Sequence, residues 1–380
     1  VLDGKIRILH IIESGGPGGA ETVLLNIVNN LDENEYHSIV VLLRTGWLHQ
    51  QLKKNAISTI LLKSLHSYDL SFLIRLWLNV KERKVDLIHS HLPDVNLYSC
   101  LAGFAARIPI VTTYHGSPTE PQGRINSYGL KYPLIRTLST RIVAVSDWLK
   151  DDLVKTARFP PKKLKTIYNG VDWKRFDLPS NSMTKRKELN IAPDEKVVGM
   201  VANLRPAKGY EYFIRAAAII AEDTPKVKFL VIGEEEETVR KTITREIDAL
   251  GLTDKVILLG FREDVPELLK LLDVFVLSSV SEGLSIATIE AMAAGIPTVV
   301  TKSGGPQEVV LDGRTGFLAP PKDEKSLAEK VLLLLGNREL AASMGQEAQA
   351  RVKARFGIDT MIENYETLYH QCLNQREGQV

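Results

Sequence analysis

Two carboxylates eight residues apart, Glu282 and Glu290, bracket the start of a helix-prone stretch in "SEGLSIATIEAMAAGIPTVV" (residues 281–300). One apolar run, "VFVLSS" (274–279), precedes it and another, "IPTVV", ends it. The pattern predicts a strand over 274–279, a loop from Ser281 to Leu284, a helix over about 285–294, and Gly295 as the residue just past its end. The amides of Gly283, Leu284, Ser285 and Ile286 would then lie unpaired at a positive helix end, which favours a phosphate. Glu282 would repel that phosphate and is suited instead to accept hydrogen bonds from hydroxyls. Glu290, more than one turn into the helix, can accept from a second set, such as a ribose diol. A phosphate flanked by two hydroxyl-bearing groups is a nucleotide-sugar. The plainer alternative makes Glu282 a helix-start acid and Glu290 a solvated charge. The small apolar neighbours "ATI" and "AMAAG" argue against a surface helix.

A second group of chemistry-bearing residues lies in "NLRPAKGYEYFIRAA" (203–217), where Arg205 and Lys208 stand three apart as a loop enters a helix. Such a pair can grip a diphosphate, the guanidinium as a fork and the ammonium as a point charge. A third is the glycine-rich "ESGGPGGAETVLLNIV" (13–28). Its glycines either let the backbone approach a ligand ahead of a helix or form a tight strand-to-helix turn. The spacing departs from G-x-G-x-x-G, and the second strand ends in Arg44 rather than an acid, which disfavours a nicotinamide dehydrogenase. No Asp-x-Asp occurs, and Cys100 and Cys372 are too few and too scattered for a zinc site or a disulfide framework, so neither metal nor cofactor is expected.

Short β-branched runs alternate with helical stretches along all 380 residues. In the first half they are 6–12, 38–43, 58–62, 86–91, 108–116 and 141–146; in the second, 196–204, 228–233, 255–260, 274–279 and 296–301. Continuous apolar runs of this kind predict parallel strands buried on both faces. The fold class is therefore α/β, two doubly wound Rossmann-like sheets facing each other across a cleft. The expected division is 1–178, a hinge over 179–184 in the aperiodic "FDLPSNSMT", and 185–358. A C-terminal helix over 359–380 would return to the first domain.

With 44% hydrophobic and 25% charged residues, the composition is that of a globular protein, and no apolar run is long enough to span a bilayer. The N-terminal "VLDGKIRILHII" passes directly into a strand-like pattern with no signal peptide, and a cytoplasmic location is expected. Residues 1–178 carry 23 basic against 16 acidic side chains, and the remainder 25 against 30. The basic first half reads either as an ordinary solvated surface or as the side that meets an anionic partner. Nucleic acid is not expected, since no Arg/Lys-rich helix or aromatic-basic platform occurs.

In order along the chain, "PGGAE", "YHG", "NGVD", "LRPAKG", "GFREDVPELL", "SEGLSIATIEAMAAGIPTV" and "GGPQEVVLDGRTGFL" resemble the landmarks of the retaining GT-B glycosyltransferases of family 4. Glu282 and Glu290 resemble that family's E-x7-E pattern. The resemblance implies a donor bound mainly by the second domain and transfer with retention. Arg205 and Lys208 would hold the diphosphate, Glu290 the ribose, and Glu282 with the amides from Gly283 to Ile286 the sugar and phosphate. Gly260, Phe261 and Arg262 would flank the base, and Gly18 and Gly19 would close over the diphosphate. His115 would sit by the transferred sugar. His89 and His91, in "IHSHLPD", end another strand and are assigned to the acceptor side.

The reaction this implies is transfer of a hexosyl or N-acetylhexosaminyl unit from a nucleotide-sugar, a UDP-sugar ahead of a GDP-sugar, to a sugar, lipid-linked or other small hydroxyl acceptor. It would serve polysaccharide, glycolipid or glycoconjugate synthesis. An epimerase acting on sugar nucleotides and a non-catalytic sensor of them share the architecture and stand as the alternatives. The loop 117–129 is a candidate acceptor lid. Residues 70–84, "LSFLIRLWLNVKERK", read either as an amphipathic helix packed on its own sheet or as a basic helix lying on an anionic membrane. The apolar face would be Phe72, Leu73, Leu76, Trp77 and Val80. Oligomeric state is not legible.

Overall fold

The structure is a computed structural model describing residues 4–64, 69–117, 128–177 and 182–377. The chain divides into two compact units, Val1–Gly170 with Ile358–Val380, and Val171–Gly357. The division falls at Gly170, ahead of the expected 178. The Val171 N–H bonds the Phe356 carbonyl at 2.9 Å and Val171 bridges to Gly357, tying this segment to the second unit. Of the expected hinge, 179–181 lie outside the described residues, and 182–184 open a helix, Ser182–Glu188.

The first unit holds one parallel sheet: β1 (Ile6–Ile12), β2 (Tyr36–Leu42), β3 (Ser58–Leu61), β4 (Leu87–His91), β5 (Ile110–Tyr114), β6 (Arg141–Ala144) and β7 (Leu164–Thr166). Their order is β3-β2-β1-β4-β5-β6-β7, with Ile12 opposite both Leu42 and His91. The central strands β4 and β5 are buried along their whole length, so the polar side chains of "LIHSH" and "IVTTY" lie inside along with the apolar ones. Strand β7, "LKT", is too short and polar to be read from sequence.

The helix Leu70–Glu82 packs on this sheet. Its Phe72, Leu76 and Val80 join a core cluster with Leu9, Ile11 and Ile88, and Leu73 and Trp77 lie partly buried against it. The apolar face read from the sequence is thus turned inward, as in an amphipathic helix packed on its own sheet. The C-terminal helix Ile358–Glu377 belongs to this unit: Tyr365, Leu368, Tyr369 and Cys372, at helical spacing, are all buried. Most of the candidate lid, residues 118–127, lies outside the described residues.

The second unit repeats the design with β8 (Lys196–Val201), β9 (Val227–Ile232), β10 (Val256–Gly260), β11 (Val274–Leu277), β12 (Thr298–Thr301) and β13 (Gly316–Ala319), ordered β10-β9-β8-β11-β12-β13. Strand β13, "GFLA", was not among the expected runs, because a glycine and three apolar residues leave no period to detect. Among the described residues no helix is long and apolar enough to cross a membrane.

Candidate active site

In the second sheet β8 and β11 are neighbours whose other partners lie to opposite sides, so the loops leaving their C-terminal ends diverge. That switch point is where open α/β sheets bind ligands. Strand pairing here is brief, Val274 with Val198 and Phe275 with Gly199, and side chains take over beyond it. The buried Ser278 hydroxyl hydrogen-bonds the carbonyls of Lys208, at 3.1 Å, and Gly209, at 2.9 Å, and the Val280 N–H donates to the Ala207 carbonyl at 2.9 Å. Gly209 sits at φ +62°, where a Cβ would lie 2.3 Å from the Ser278 carbonyl oxygen. Only glycine fits there.

The turn Pro206–Lys208, held this way, carries Lys208, and Arg205 stands at its N-cap. Lys208 Nζ forms an ion pair with Glu282 Oε2, and the Ser279 hydroxyl donates to the same oxygen at 3.4 Å. Arg205 is exposed, and among the described residues it has no ion-pair partner. The structure thus joins residues 74 positions apart, Lys208 and Glu282.

The helix after β11 runs Ile286–Ala293, one residue shorter at each end than expected. Ser285 is its N-cap, its hydroxyl accepting from the Thr288 N–H at 3.2 Å and the Thr288 hydroxyl at 2.9 Å. Gly295, at φ +74°, ends it: the Gly295 N–H bonds the Met292 carbonyl and the Ile296 N–H the Ala291 carbonyl, both at 3.0 Å. The Ile286 and Ala287 amides occupy the first helical positions, which have no acceptor within the helix. Gly283 and Leu284 are buried in the approach and Ser281 is half-buried. Glu282 is fixed through its backbone, its N–H bonding the Ser303 carbonyl and its carbonyl accepting from the Gly305 N–H, each at 2.9 Å. A Cβ on Gly305 would stand 2.0 Å from the Gly283 carbonyl oxygen, so the two loops touch through backbone.

Glu290 lies half-buried on this helix, and burial pushes its carboxyl up to about 7, against the weaker opposing field of Arg175. The site therefore offers a cation pair, a helix start and two carboxylates, that of Glu290 raised by burial. Together they can hold an anionic group and hydroxyls on either side of it.

Of the residues expected at the base, Phe261 is largely exposed and Arg262 is committed elsewhere. The Arg262 guanidinium forks onto Asp264 at 2.7 and 2.6 Å and reaches Glu188 at 3.0 Å. Lys185 binds the same two carboxylates. This network holds Asp264 well below the usual carboxylate range. Any contact of Arg262 with a base is left to its aliphatic stem and backbone.

In the first unit, Gly18 is the N-cap of the helix Gly19–Asn30, and a Cβ there would lie 2.4 Å from Glu21 Oε2. His115 follows β5, its Nε2 3.2 Å from His91 Nδ1. His91 is fully buried and holds His115 from beneath, so it does not present itself to an acceptor as expected. Its place follows from strand alternation, which puts His89 and His91 on one sheet face; the register sets His10 beside His89.

His10, His89 and His91 bring one ring nitrogen each within 4.8 Å of one another, the spacing of a metal site. Both His89 nitrogens, however, are taken by hydroxyls at 2.7 Å, from Tyr369 and Thr113. Burial lowers all four imidazoles, His115 to about 4 and His10 to about 3, so the row is neutral at neutral pH.

Sequence reasoning missed His10, Ser278, Ser303, Gly305 and Arg175. Only Gly305 carried a signal, lying in "GGPQEVVLDGRTGFL"; the others act through contacts that no local pattern displays.

Two family models match the chain, Glycosyltransferase Family 4 over residues 17–175 and Glycosyl transferases group 1 over 181–351. N-acetyl-alpha-D-glucosaminyl L-malate synthase from Bacillus anthracis is 29% identical over 317 residues, 82% of each chain. UDP-Gal:alpha-D-GlcNAc-diphosphoundecaprenol alpha-1,3-galactosyltransferase from Escherichia coli is 27% identical, covering 96% of this chain and 97% of its own. Among solved structures, HepE from Anabaena in complex with UDP-glucose is 27% identical with a TM-score of 0.88, covering 96% of this chain and 99% of that one. Sequence match, sheet order and switch-point site agree: the chain belongs to glycosyltransferase family 4, has the two Rossmann-like domains of the GT-B fold, and is a glycosyltransferase.

Proposed function

We propose that this enzyme moves a hexosyl or N-acetylhexosaminyl unit from a UDP-sugar to an acceptor hydroxyl, with retention of anomeric configuration and without a metal. The acceptor is a sugar, a lipid-linked carrier or another small hydroxyl compound, the setting is cytoplasmic, and the product belongs to a polysaccharide, glycolipid or other glycoconjugate. The observation that carries the reading is the Lys208–Glu282 pair beside the capped helix start. A diphosphate offers Lys208 a stronger partner than Glu282 does, because it brings more charge and several acceptor oxygens. Taking Lys208 frees Glu282 to accept from sugar hydroxyls. UDP is favoured over GDP because HepE is known in complex with UDP-glucose and the Escherichia coli relative is named for UDP-Gal.

In the reaction the anomeric bond breaks as charge gathers on the departing diphosphate. Arg205, Lys208 and the Ile286 amide stand ready to neutralise it. A double displacement would need a carboxylate against the opposite face of the sugar, and both motif glutamates already serve as hydrogen-bond acceptors for the donor. The reading is therefore a front-face substitution in which the leaving phosphate takes the acceptor's proton. His115, neutral through burial, serves as a hydrogen-bonding partner for the sugar rather than a charge.

The test incubates the enzyme with UDP- and GDP-sugars, with and without simple glycoside acceptors, in EDTA. Retained-configuration product from a UDP-sugar in EDTA is expected. Product only after divalent metal is added would overturn metal independence, and a sugar isomerised without acceptor would replace transfer by epimerisation.

Glu290 supplies a pH prediction. Burial pushes its carboxyl up to about 7, and a ribose diol donating to it favours the ionised form. UDP affinity should therefore rise as pH rises through 7, several-fold between pH 6 and 8 on the order expected for one coupled proton. Calorimetry on wild type and Glu290→Gln separates this from the phosphate's own titration, because the variant keeps only the latter. Identical pH slopes would remove Glu290 from the ribose.

A further inference from the structure

The row of histidines in the first unit carries more polar capacity than the sheet around it uses. His10 on β1 stands opposite His89 on β4 in the register, and His91, two residues on, lies on the same face. All three are fully buried. Ring centroids are 5.5 Å apart for His10 and His89 and 4.1 Å for His89 and His91, and one nitrogen from each of the three rings lies within 4.8 Å of the others. His10 and His91 each have one nitrogen with a neighbour and one without. His10 Nε2 faces the Ser38 hydroxyl at 3.5 Å and His91 Nδ1 faces His115 Nε2 at 3.2 Å, whereas His10 Nδ1 and His91 Nε2 are buried with no hydrogen-bond partner. Burying an imidazole nitrogen unpaired is costly, and two in one row call for a shared partner.

We propose that His10, His89 and His91 hold a divalent metal ion of the zinc class, His10 binding through Nδ1, His89 through Nε2 and His91 through Nε2. The donor set selects the ion: imidazole nitrogens with no carboxylate in the group suit zinc or cobalt, whereas magnesium and calcium take oxygen. Tetrahedral zinc with Zn–N of about 2.1 Å sets its ligand nitrogens about 3.4 Å apart, so modest rotation of the rings closes the site, and a water completes it. A ligating imidazole donates its other N–H outward, as His10 Nε2 can to Ser38 and His91 Nδ1 to His115. His89 is bonded on both sides, by the hydroxyls of Tyr369 at Nδ1 and Thr113 at Nε2. The metal takes Nε2 when the Thr113 side chain turns to another rotamer, which carries its hydroxyl off the lone-pair axis, and Tyr369 then accepts from the Nδ1–H. With the ion on Nε2, the His91 hydrogen sits on Nδ1 and His115 Nε2 accepts it, so the site also sets the tautomer of His115. No step of the transfer passes through the ion, and the inference does not depend on the transfer reading.

The experiment measures metal in the full chain. Protein produced in zinc-supplemented medium and gel-filtered into chelator-treated buffer should carry about one zinc per chain by elemental analysis. Protein produced with cobalt instead should show the intense visible bands of tetrahedral, nitrogen-ligated Co(II). His10→Leu and His91→Leu, apolar replacements of similar size, should each lower the retained metal at least about tenfold, while His37→Ala, at an exposed imidazole, leaves it unchanged. Thr113→Ala removes the competing hydroxyl and should hold the metal at least as tightly against a chelator; weaker retention there would overturn ligation by His89. Should a leucine variant fail to fold by circular dichroism, X-ray absorption on the wild-type cobalt protein decides, with about three imidazole ligands expected. Wild type free of metal after both preparations would overturn the proposal. So would metal that survives both leucine substitutions or leaves with His37, since it would then be bound at the surface. A cobalt spectrum of octahedral, oxygen-rich coordination would do the same.

Discussion

Lys208→Ala should lower turnover roughly 10²- to 10³-fold, the loss expected when one preorganised donor to a developing charge is removed. The Lys208 ammonium is the cation that the structure holds at the switch point, half-buried and paired with Glu282. Water replaces a buried cation poorly there, since it must reorient as charge accumulates on the leaving phosphate. The effect should fall mainly on kcat, because that charge is greatest in the transition state. Arg205→Ala should behave similarly but more mildly, its guanidinium being exposed and screened. A double variant distinguishes cooperation from redundancy: losses that fail to add would show the two cations acting on one phosphate. Single-turnover kinetics at saturating donor measure the chemical step directly. Near-normal rates in both variants would remove the cation pair from the mechanism. A rise in KM with the saturating rate unchanged would make their role one of ground-state binding.

Gly209→Ala should lower kcat/KM by about 10²-fold while the protein stays folded, because displacing a catalytic group by about 1 Å costs that much. The added Cβ would lie 2.3 Å from the Ser278 carbonyl oxygen, on backbone that cannot rotate away. Relief requires the Arg205–Lys208 turn to move, which stretches the bonds from Ser278 to the Lys208 and Gly209 carbonyls. Left-handed φ adds a strain of about 1–2 kcal/mol in any L-residue. Gly251→Ala is the control: Gly251 sits at φ +67° with open space around it, so it carries the strain without the collision. Equal losses of activity in the two variants, measured against matched thermal midpoints, would show that strain rather than displaced cations explains the first.

The order of landmarks in the chain was enough to place Arg205, Lys208 and Glu282 just beyond strand ends. Alternation of apolar runs with helical stretches predicts two parallel sheets, and a ligand at the switch point of such a sheet follows from topology. Local chemistry placed Ser285 at the helix start and Gly295 past its end, because caps and stops are decided by neighbours within a few residues. Elements lacking an internal period were illegible, as β7 and β13 show.

Contacts across long separations were closed to the sequence altogether. Nothing near Lys208 announces that Glu282 holds it, that Ser278 clamps its carbonyl, or that Asp264 and Glu188 claim Arg262. The burial that raises the Glu290 carboxyl and keeps His115 neutral is likewise set by what packs around each group. On the helix Leu70–Glu82 the sequence supplied two apolar stripes, and only packing against the sheet chose which would be buried. Secondary structure and capping come from forces acting within a turn or two, so the chain determined them by itself. Partner choice and desolvation depend on residues that folding brings together from far apart, so the tertiary structure alone decided them.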